Sequence, residues 1–387
     1  MFKSLSLTLS FLIASAPAIA VERPPQFVLL AFDNCQENQS WKQVSDFLDQ
    51  MNTGSKDRLR YTFFLSATGL LADPVRHTYT DPMGRTGKSN INFGGGEDEV
   101  IERVRWINKL HRDGNEIASH AVGHFPGQDW SVAQWRHELD QYDYIINNVA
   151  SINGLKGDKA KAATLAFSAD QIRGFRAPYL QGGKNLIQVL GERRYAYDTS
   201  DSNQGWEPTT WPKRFLEALG GKGLWNFGLG FLTLNATQIT EADLKAGLPR
   251  QKKSIKLPAM DYNFCYRQTG GCAEKDPFKA EQDKDAQEML VGYLNYFATN
   301  YNGNRAPVHI GHHFQQYRGG SYNRALMRFA RAVCGRPEVK CTTYKELTDY
   351  MEKLGTTGRN QVQEGRFDKA APVSIEELVQ SAKLASE

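Results

Sequence analysis

Short apolar runs alternate along this chain with longer stretches whose apolar residues recur at helical spacing, and no other feature constrains the fold as much. FVLLAF (27–32) is followed by SWKQVSDFLDQMN (40–52), in which Trp41, Val44, Phe47, Leu48 and Met51 share one helical face. RYTFFLSA (60–67) precedes EVIERVRWINKLHRDG (99–114), which Gly114 ends, and NEIASH (115–120) precedes the long helical pattern at 132–152. The order continues with a strand around GFRAPY (174–179), a helix near 185–194, and strands at AYDTS (196–200) and LWNFGLG (224–230). A helix at 283–302, a strand at APVHIGHHF (306–314) and a helix at 322–335 complete it. Strands that alternate with helices predict an α/β protein whose parallel strands are covered by helices. So many steps without a break in composition predict a barrel, or most of one.

Composition narrows the class of function. The chain has 387 residues, 40% hydrophobic and 23% charged, enough to bury a large core. Its formal net charge is only +4 with acids and bases interspersed, so nucleic acid is not expected as a partner. The first residues, MFKSLSLTLSFLIASAPAIA, carry Lys3, a short apolar stretch and a small-residue ending. They read as a signal peptide over 1–20, which places the mature chain in a secreted or periplasmic space with no membrane span after cleavage.

Cysteine usage fits an oxidising compartment. Cys265 and Cys272 flank YRQTGG, and Cys334 and Cys341 flank GRPEVK. Five cysteines permit several pairings, of which the two local loops are preferred, leaving Cys35 over. Residues 72–98 and 201–275 interrupt the alternation and read as long loops, which in a barrel gather at the carboxyl ends of the strands. Residues 21–355 are expected to form the barrel, and 356–387 a polar linker with an amphipathic helix from near Ser374.

Chemistry collects at the expected strand ends. Asp33 and Asn34 follow the first strand, His120 and His124 the third, Arg176 a later one, and Asp198 and Asp201 the next. His309, His312 and His313 lie in the last strand, so five of the eight histidines fall in two strand-end segments. If the chain turns helically after residue 119, an i, i+4 spacing stacks His120 and His124 on one face, as two ligands of one metal require.

In that order the segments AFDN, SHAVGH, FRAPY, YDTSD and NRAPVHIGHHF resemble the motifs of the polysaccharide deacetylases, carbohydrate esterase family 4. FRAPYL, NRAP and the cysteine loop after LPAM are most similar to the chitin-deacetylase-like branch. The resemblance spans roughly residues 26–350 and implies a distorted (β/α) barrel of seven or eight strands. It implies a divalent metal, zinc first and cobalt second, held by Asn34, His120 and His124. Asp33 would be the catalytic base, Arg176 its holder, and the Tyr179 backbone N–H the donor to the oxyanion. His313 would be the acid that protonates the leaving amine. Either Asp198 or Asp201 would tune that histidine, with Asp198 preferred.

The chain departs from the pattern in one charged position. Asn34 stands where the family has a second aspartate, which predicts weaker metal retention and a more acidic bound water. A thiolate at Cys35 would restore the charge if a turn brought it round. Ala31 and Ala121 each replace a hydroxyl residue of the family. Trp130, Trp206, Trp211 and Trp225 lie in or near expected loops, where flat rings stack on sugars. The resemblance therefore implies removal of N-acetyl groups from an amino-sugar glycan, chitin or its oligosaccharides first and an envelope polysaccharide second. One alternative is a barrel that binds carbohydrate without efficient catalysis because of Asn34. Another is a hydrolase of non-sugar amides on the same barrel. Oligomeric state is not legible from the sequence.

Overall fold

The computed structural model describes residues 22–202, 207–235, 254–272 and 279–384. The signal segment expected at 1–20 and Trp206 lie outside the described residues. The first strand, β1 (Gln26–Asn34), is buried along its whole length, which is why its sequence is a continuous apolar run rather than an alternating one. It pairs in parallel with β10 (Val308–His313), whose register sets Leu29 beside His309, Phe32 beside His312 and Asp33 beside His313. β2 (Thr62–Leu65) and β11 (Val339–Thr342) divide the opposite side of β1, pairing with its second and first halves.

From β2 the sheet continues in parallel through β3 (Glu116–Ser119), β4 (Gly174–Phe175), β5 (Tyr197–Asp198) and β7 (Trp225–Asn226), and β6 (Lys213–Arg214) pairs antiparallel at the edge. A two-stranded antiparallel ribbon, β8 (Phe231–Asn235) and β9 (Ser254–Pro258), stands apart from this nine-stranded sheet. Ala259, just beyond the ribbon, reaches across the gap. Its N–H donates to the Gly230 carbonyl at 3.0 Å, and its own carbonyl accepts from the Gly311 N–H at 3.0 Å. The expected barrel is thus a curled sheet that this residue bridges.

Alternation along β1 sorts the core into two sides. Phe27, Leu29 and Ala31 point into the barrel with Phe64, Ala118, Tyr197 and Tyr344, whereas Val28, Leu30 and Phe32 face the helical layer. That layer begins with α1 (Asn38–Asn52), which buries Trp41, Val44, Phe47 and Leu48, followed by α2 (Glu97–Arg112) and α3 (Val132–Ile152). α2 has Glu97, Asp98 and Glu99 in its first turn and Lys109, His111 and Arg112 in its last, each sign complementing the helix dipole. Ser131 caps α3, its Oγ accepting from the Gln134 N–H at 3.2 Å.

After the short α4 (Gly157–Ala162) and α5 (Gly183–Glu192) comes α6 (Asp261–Thr269), inside a region expected to be loop. α7 (Lys279–Asn302), α8 (Ser321–Val333), α9 (Tyr344–Gln363) and α10 (Ile375–Leu384) complete the layer. Residues 356–363, expected as linker, instead continue α9 beyond Gly355. Disulfides join Cys265 to Cys272 and Cys334 to Cys341, and Cys35 is free and buried. Among the described residues no helix is long and apolar enough to cross a membrane.

Candidate functional site

A cavity of about 370 Å³ opens at the carboxyl ends of the parallel strands, lined among others by Asp33, Asn34, His120, His124, Tyr179 and His313. These residues come from four segments far apart in sequence and share one pocket. Arg176 stands directly behind it. The barrel-facing series of β1, residues 27, 29 and 31, ends in Asp33, whose Oδ1 accepts from Arg176 Nη1 at 2.6 Å. Arg176 is fully buried and its other donors are also taken. Nε donates to Thr199 Oγ1 at 2.7 Å, and Nη2 lies 2.9 Å from His309 Nε2 and 3.1 Å from the Tyr344 hydroxyl. The guanidinium also sits 4.1 Å from the centre of the Phe64 ring. Burial alone would lower its pKa, but the Asp33 and Tyr344 neighbours raise it, so the cation persists in the core.

Strict alternation would turn Asn34 away from the side that Asp33 faces. Asn34 and Cys35 instead adopt left-handed backbone conformations, φ 67° and 59°, and Asn34 joins Asp33 in lining the cavity. Asn34 Oδ1 accepts from Ser66 Oγ at 3.3 Å, which leaves a second lone pair on the amide oxygen. The same turn sends Cys35 into the hydrophobic core. Its Sγ lies 3.4 Å from the Phe32 carbonyl, and burial pushes the thiol pKa well up. A thiolate ligand at Cys35 is therefore ruled out by placement.

His120 and His124 have ring centres 5.1 Å apart, but no helix brings them together. The chain after β3 is an irregular loop in which Ala121 and His124 have φ 58° and 54°. Glu138 of α3 holds that loop. Its Oε1 accepts from the Val122 and Gly123 N–H groups at 2.9 and 3.0 Å, and its Oε2 from the Tyr79 hydroxyl at 2.7 Å. A side chain at Gly123 would run into Tyr79 Oη at 2.5 Å, so the loop depends on glycine there.

His120 Nδ1 lies 2.7 Å from the Arg176 carbonyl, which can only accept, so Nδ1 carries the proton and Nε2 keeps its lone pair. His124 Nδ1 is buried with no hydrogen-bond partner elsewhere among the described residues. Burial lowers both imidazoles, to about 4 for His120 and about 2 for His124, so both are neutral at ordinary pH. Two neutral imidazoles, one with an orphaned nitrogen, beside an amide oxygen fit a divalent cation. Among the described residues no three His, Cys, Asp or Glu side chains gather as a metal-binding group.

The register with β1 separates the three histidines of β10. His309 shares the barrel side with Leu29 and is used by Arg176. His312 shares the helical side with Phe32, its Nδ1 3.0 Å from Asn323 Oδ1 and its Nε2 3.2 Å from the Tyr293 hydroxyl. His313, beside Asp33, faces the cavity. Its carboxylate partner is neither Asp198 nor Asp201 but Asp261, the first residue of α6. His313 Nδ1 lies 2.7 Å from Asp261 Oδ1, and the His313 N–H donates to Oδ2 at 2.8 Å. Burial opposes charge on His313, but the charge and hydrogen bond of Asp261 and the charge of Asp33 raise its pKa above the ordinary histidine value.

Asp198 is occupied elsewhere. It accepts from Ser200 Oγ at 2.5 Å, and burial lifts it to about 7. With Asp201 it lines a separate cleft beside α5. The signal for Asp261 is its place directly after LPAM, with Tyr262 behind it. The tryptophans are also placed differently from the expectation. Trp130 packs edge-on against Trp135 with ring centres 4.6 Å apart, and Trp211 and Trp225 are buried, so none of the three offers a face to a sugar. Tyr179 has φ 56° and is 53% exposed, its ring 4.7 Å from that of His124.

No family model and no curated protein sequence matches the chain. Among solved structures it is similar to a candidate polysaccharide deacetylase from Mycobacterium smegmatis, with a TM-score of 0.50 and 14% identity over 93% of this chain and 98% of that one. The Xyl-CE4 domain of a multidomain xylanase from the hindgut metagenome of Trinervitermes trinervoides gives a TM-score of 0.39 and 13% identity, covering 85% of this chain and 92% of that one. Puue allantoinase gives 0.46 and 12%, covering 85% and 90%. The fold is that of the polysaccharide deacetylases.

Proposed function

We propose that this chain is a hydrolase that removes N-acetyl groups from an amino-sugar glycan, with chitin or its oligosaccharides as the first substrate to test. One observation carries the reading: a carboxylate fixed by a buried arginine and a histidine backed by an aspartate occupy the two flanks of one cavity, with two neutral imidazoles in the same cavity. Amide hydrolysis needs such a pair, because water must lose a proton to attack and the amine must gain one to leave.

Asp33, held by Arg176, is positioned to take the proton from water. His313 as the cation donates to the departing nitrogen, and Asp261 keeps it protonated to higher pH. The backbone N–H of Tyr179 is the proposed donor to the developing oxyanion. His120, His124 and Asn34 would hold a divalent cation, zinc or cobalt, which when bound supplies Lewis acidity at the carbonyl and makes water more acidic. The disulfides support a secreted or periplasmic location.

A second reading rests on Asn34. An uncharged third ligand, already accepting from Ser66, would leave a carbohydrate-binding barrel with little catalysis. Acetate release from N-acetylglucosamine oligomers with zinc or cobalt added, compared with an Asp33→Ala chain, separates the two. Release by the natural chain alone supports the hydrolase, and equal background from both supports the binding protein.

A further inference from the structure

Seven large hydrophobic side chains are exposed among the described residues, and three of them stand at or beside the cavity. Tyr179 and Tyr262 line it. Tyr266, 57% exposed, has its ring 6.2 Å from that of Tyr262, which is itself 41% exposed. Both belong to α6, where an i, i+4 spacing puts Tyr262 and Tyr266 on one face, leading outward from His313. The Tyr262 ring lies 6.4 Å from that of His313 and 6.2 Å from that of Tyr317. We propose that Tyr262 and Tyr266 form a stacking platform for a sugar residue adjoining the one whose amide is cleaved, so that the preferred ligand is an oligomer extending past the His313 flank. This rests on the hydrolase reading only for the identity of the reaction, not for the platform itself.

The platform is held rigidly. The Cys265–Cys272 disulfide closes the end of α6, and Gln268 Nε2 donates to Glu288 Oε2 at 2.6 Å and to the Asp285 carbonyl at 3.1 Å. Arg267 pairs with Glu288 as well. An aromatic face that is exposed yet fixed loses little freedom on binding, which favours a flat, partly apolar partner such as a pyranose ring. The occupant is identified by continuity: the two rings run from the group that would protonate the leaving nitrogen to the surface. A glycan chain threaded through the cavity must cross one such border.

The test compares binding of the N-acetylglucosamine tetramer and monomer by calorimetry to the full chain carrying His313→Ala, with and without Tyr266→Ala. Tyr266→Ala is expected to weaken the tetramer roughly tenfold and leave the monomer unchanged, and Tyr266→Trp to restore it. A tetramer affinity within about twofold of the parent, or an equal loss for both lengths, overturns the platform. Binding of neither length to the parent overturns it too. If the natural chain releases no acetate but the length-dependent loss appears, the hydrolase reading fails and the platform stands. If acetate is released without any length-dependent loss, the platform fails and the hydrolase reading stands.

Discussion

The two flanks of the cavity are built in opposite ways. The Asp33 flank, proposed to hold the base, is part of the barrel core: Asp33 ends the central strand, and Arg176 behind it is fully buried with every donor group engaged. The His313 flank, proposed to hold the acid, hangs on an attachment. His313 comes from the neighbouring strand, but its carboxylate comes from α6, a short helix after the ribbon, closed by a disulfide. In the proposed reaction one flank therefore ties chemistry to stability, while the other lets the histidine be tuned through a partner outside the nine-stranded sheet.

The largest effect expected from that contrast is at Asp33. Asp33→Ala should lower acetate release roughly 10³-fold or more and also cost roughly 3–5 kcal/mol in stability, because Arg176 is left buried without its carboxylate. Thermal melting beside the acetate assay checks both, and an unchanged melting temperature would break the contrast. His313→Ala should weight the two effects differently: turnover falls roughly 10²-fold, while the stability loss is smaller, roughly 1–3 kcal/mol, because Asp261 keeps the backbone N–H groups of Tyr262 and residue 313. Comparable melting losses in the two variants would show the acid flank to be core after all.

Asn34→Asp sharpens the comparison in the middle of the cavity. Adding a negative charge beside His120 and His124 should tighten cobalt retention in equilibrium dialysis about tenfold. Retention unaltered by the substitution would remove residue 34 from the ligand set. The smallest expected effect is on pH dependence. In the proposed reaction His313 works as the cation, and Asp261 raises its pKa, so activity should be lost as pH rises through that raised value. Asp261→Asn removes the stabilising charge, so the alkaline limb should move to lower pH, and a limb that stays in place would assign it to another group.

Legibility follows the strength of local signals. The helix at 132–152 is legible to its ends from its helical pattern, and the structure adds the Ser131 cap. The ribbon β8–β9 and the helix α6 lie in a stretch that mixes Trp, Gly and Pro, where no period dominates, and neither is legible there. Strand β11 is only four residues long, too short for its alternation to stand out. At the site, the motif order locates Asp33, His120, His124, Arg176 and His313, which the fold gathers around one cavity. Asp261 escapes notice because a buried aspartate looks like any loop aspartate until its partner is seen. The tryptophans go the other way: their large apolar area is worth more inside the core than at the rim.

By itself the amino-acid order determined the strand and helix alternation, and with it that polar residues at strand ends would meet at one rim of a barrel, since a period-2 run and a period-3.6 run leave little choice of structure. It also determined that position 34 carries an amide and no charge. Only the folded chain decided which side chains face one another. The left-handed backbone at residues 34 and 35 put Asn34 in the cavity and the thiol in the core, and the register of β10 on β1 chose His313 over its two neighbours. The choice of His313 depends on pairing between strands hundreds of residues apart, and the turn at 34 and 35 on the packing around it, neither of which a local pattern encodes.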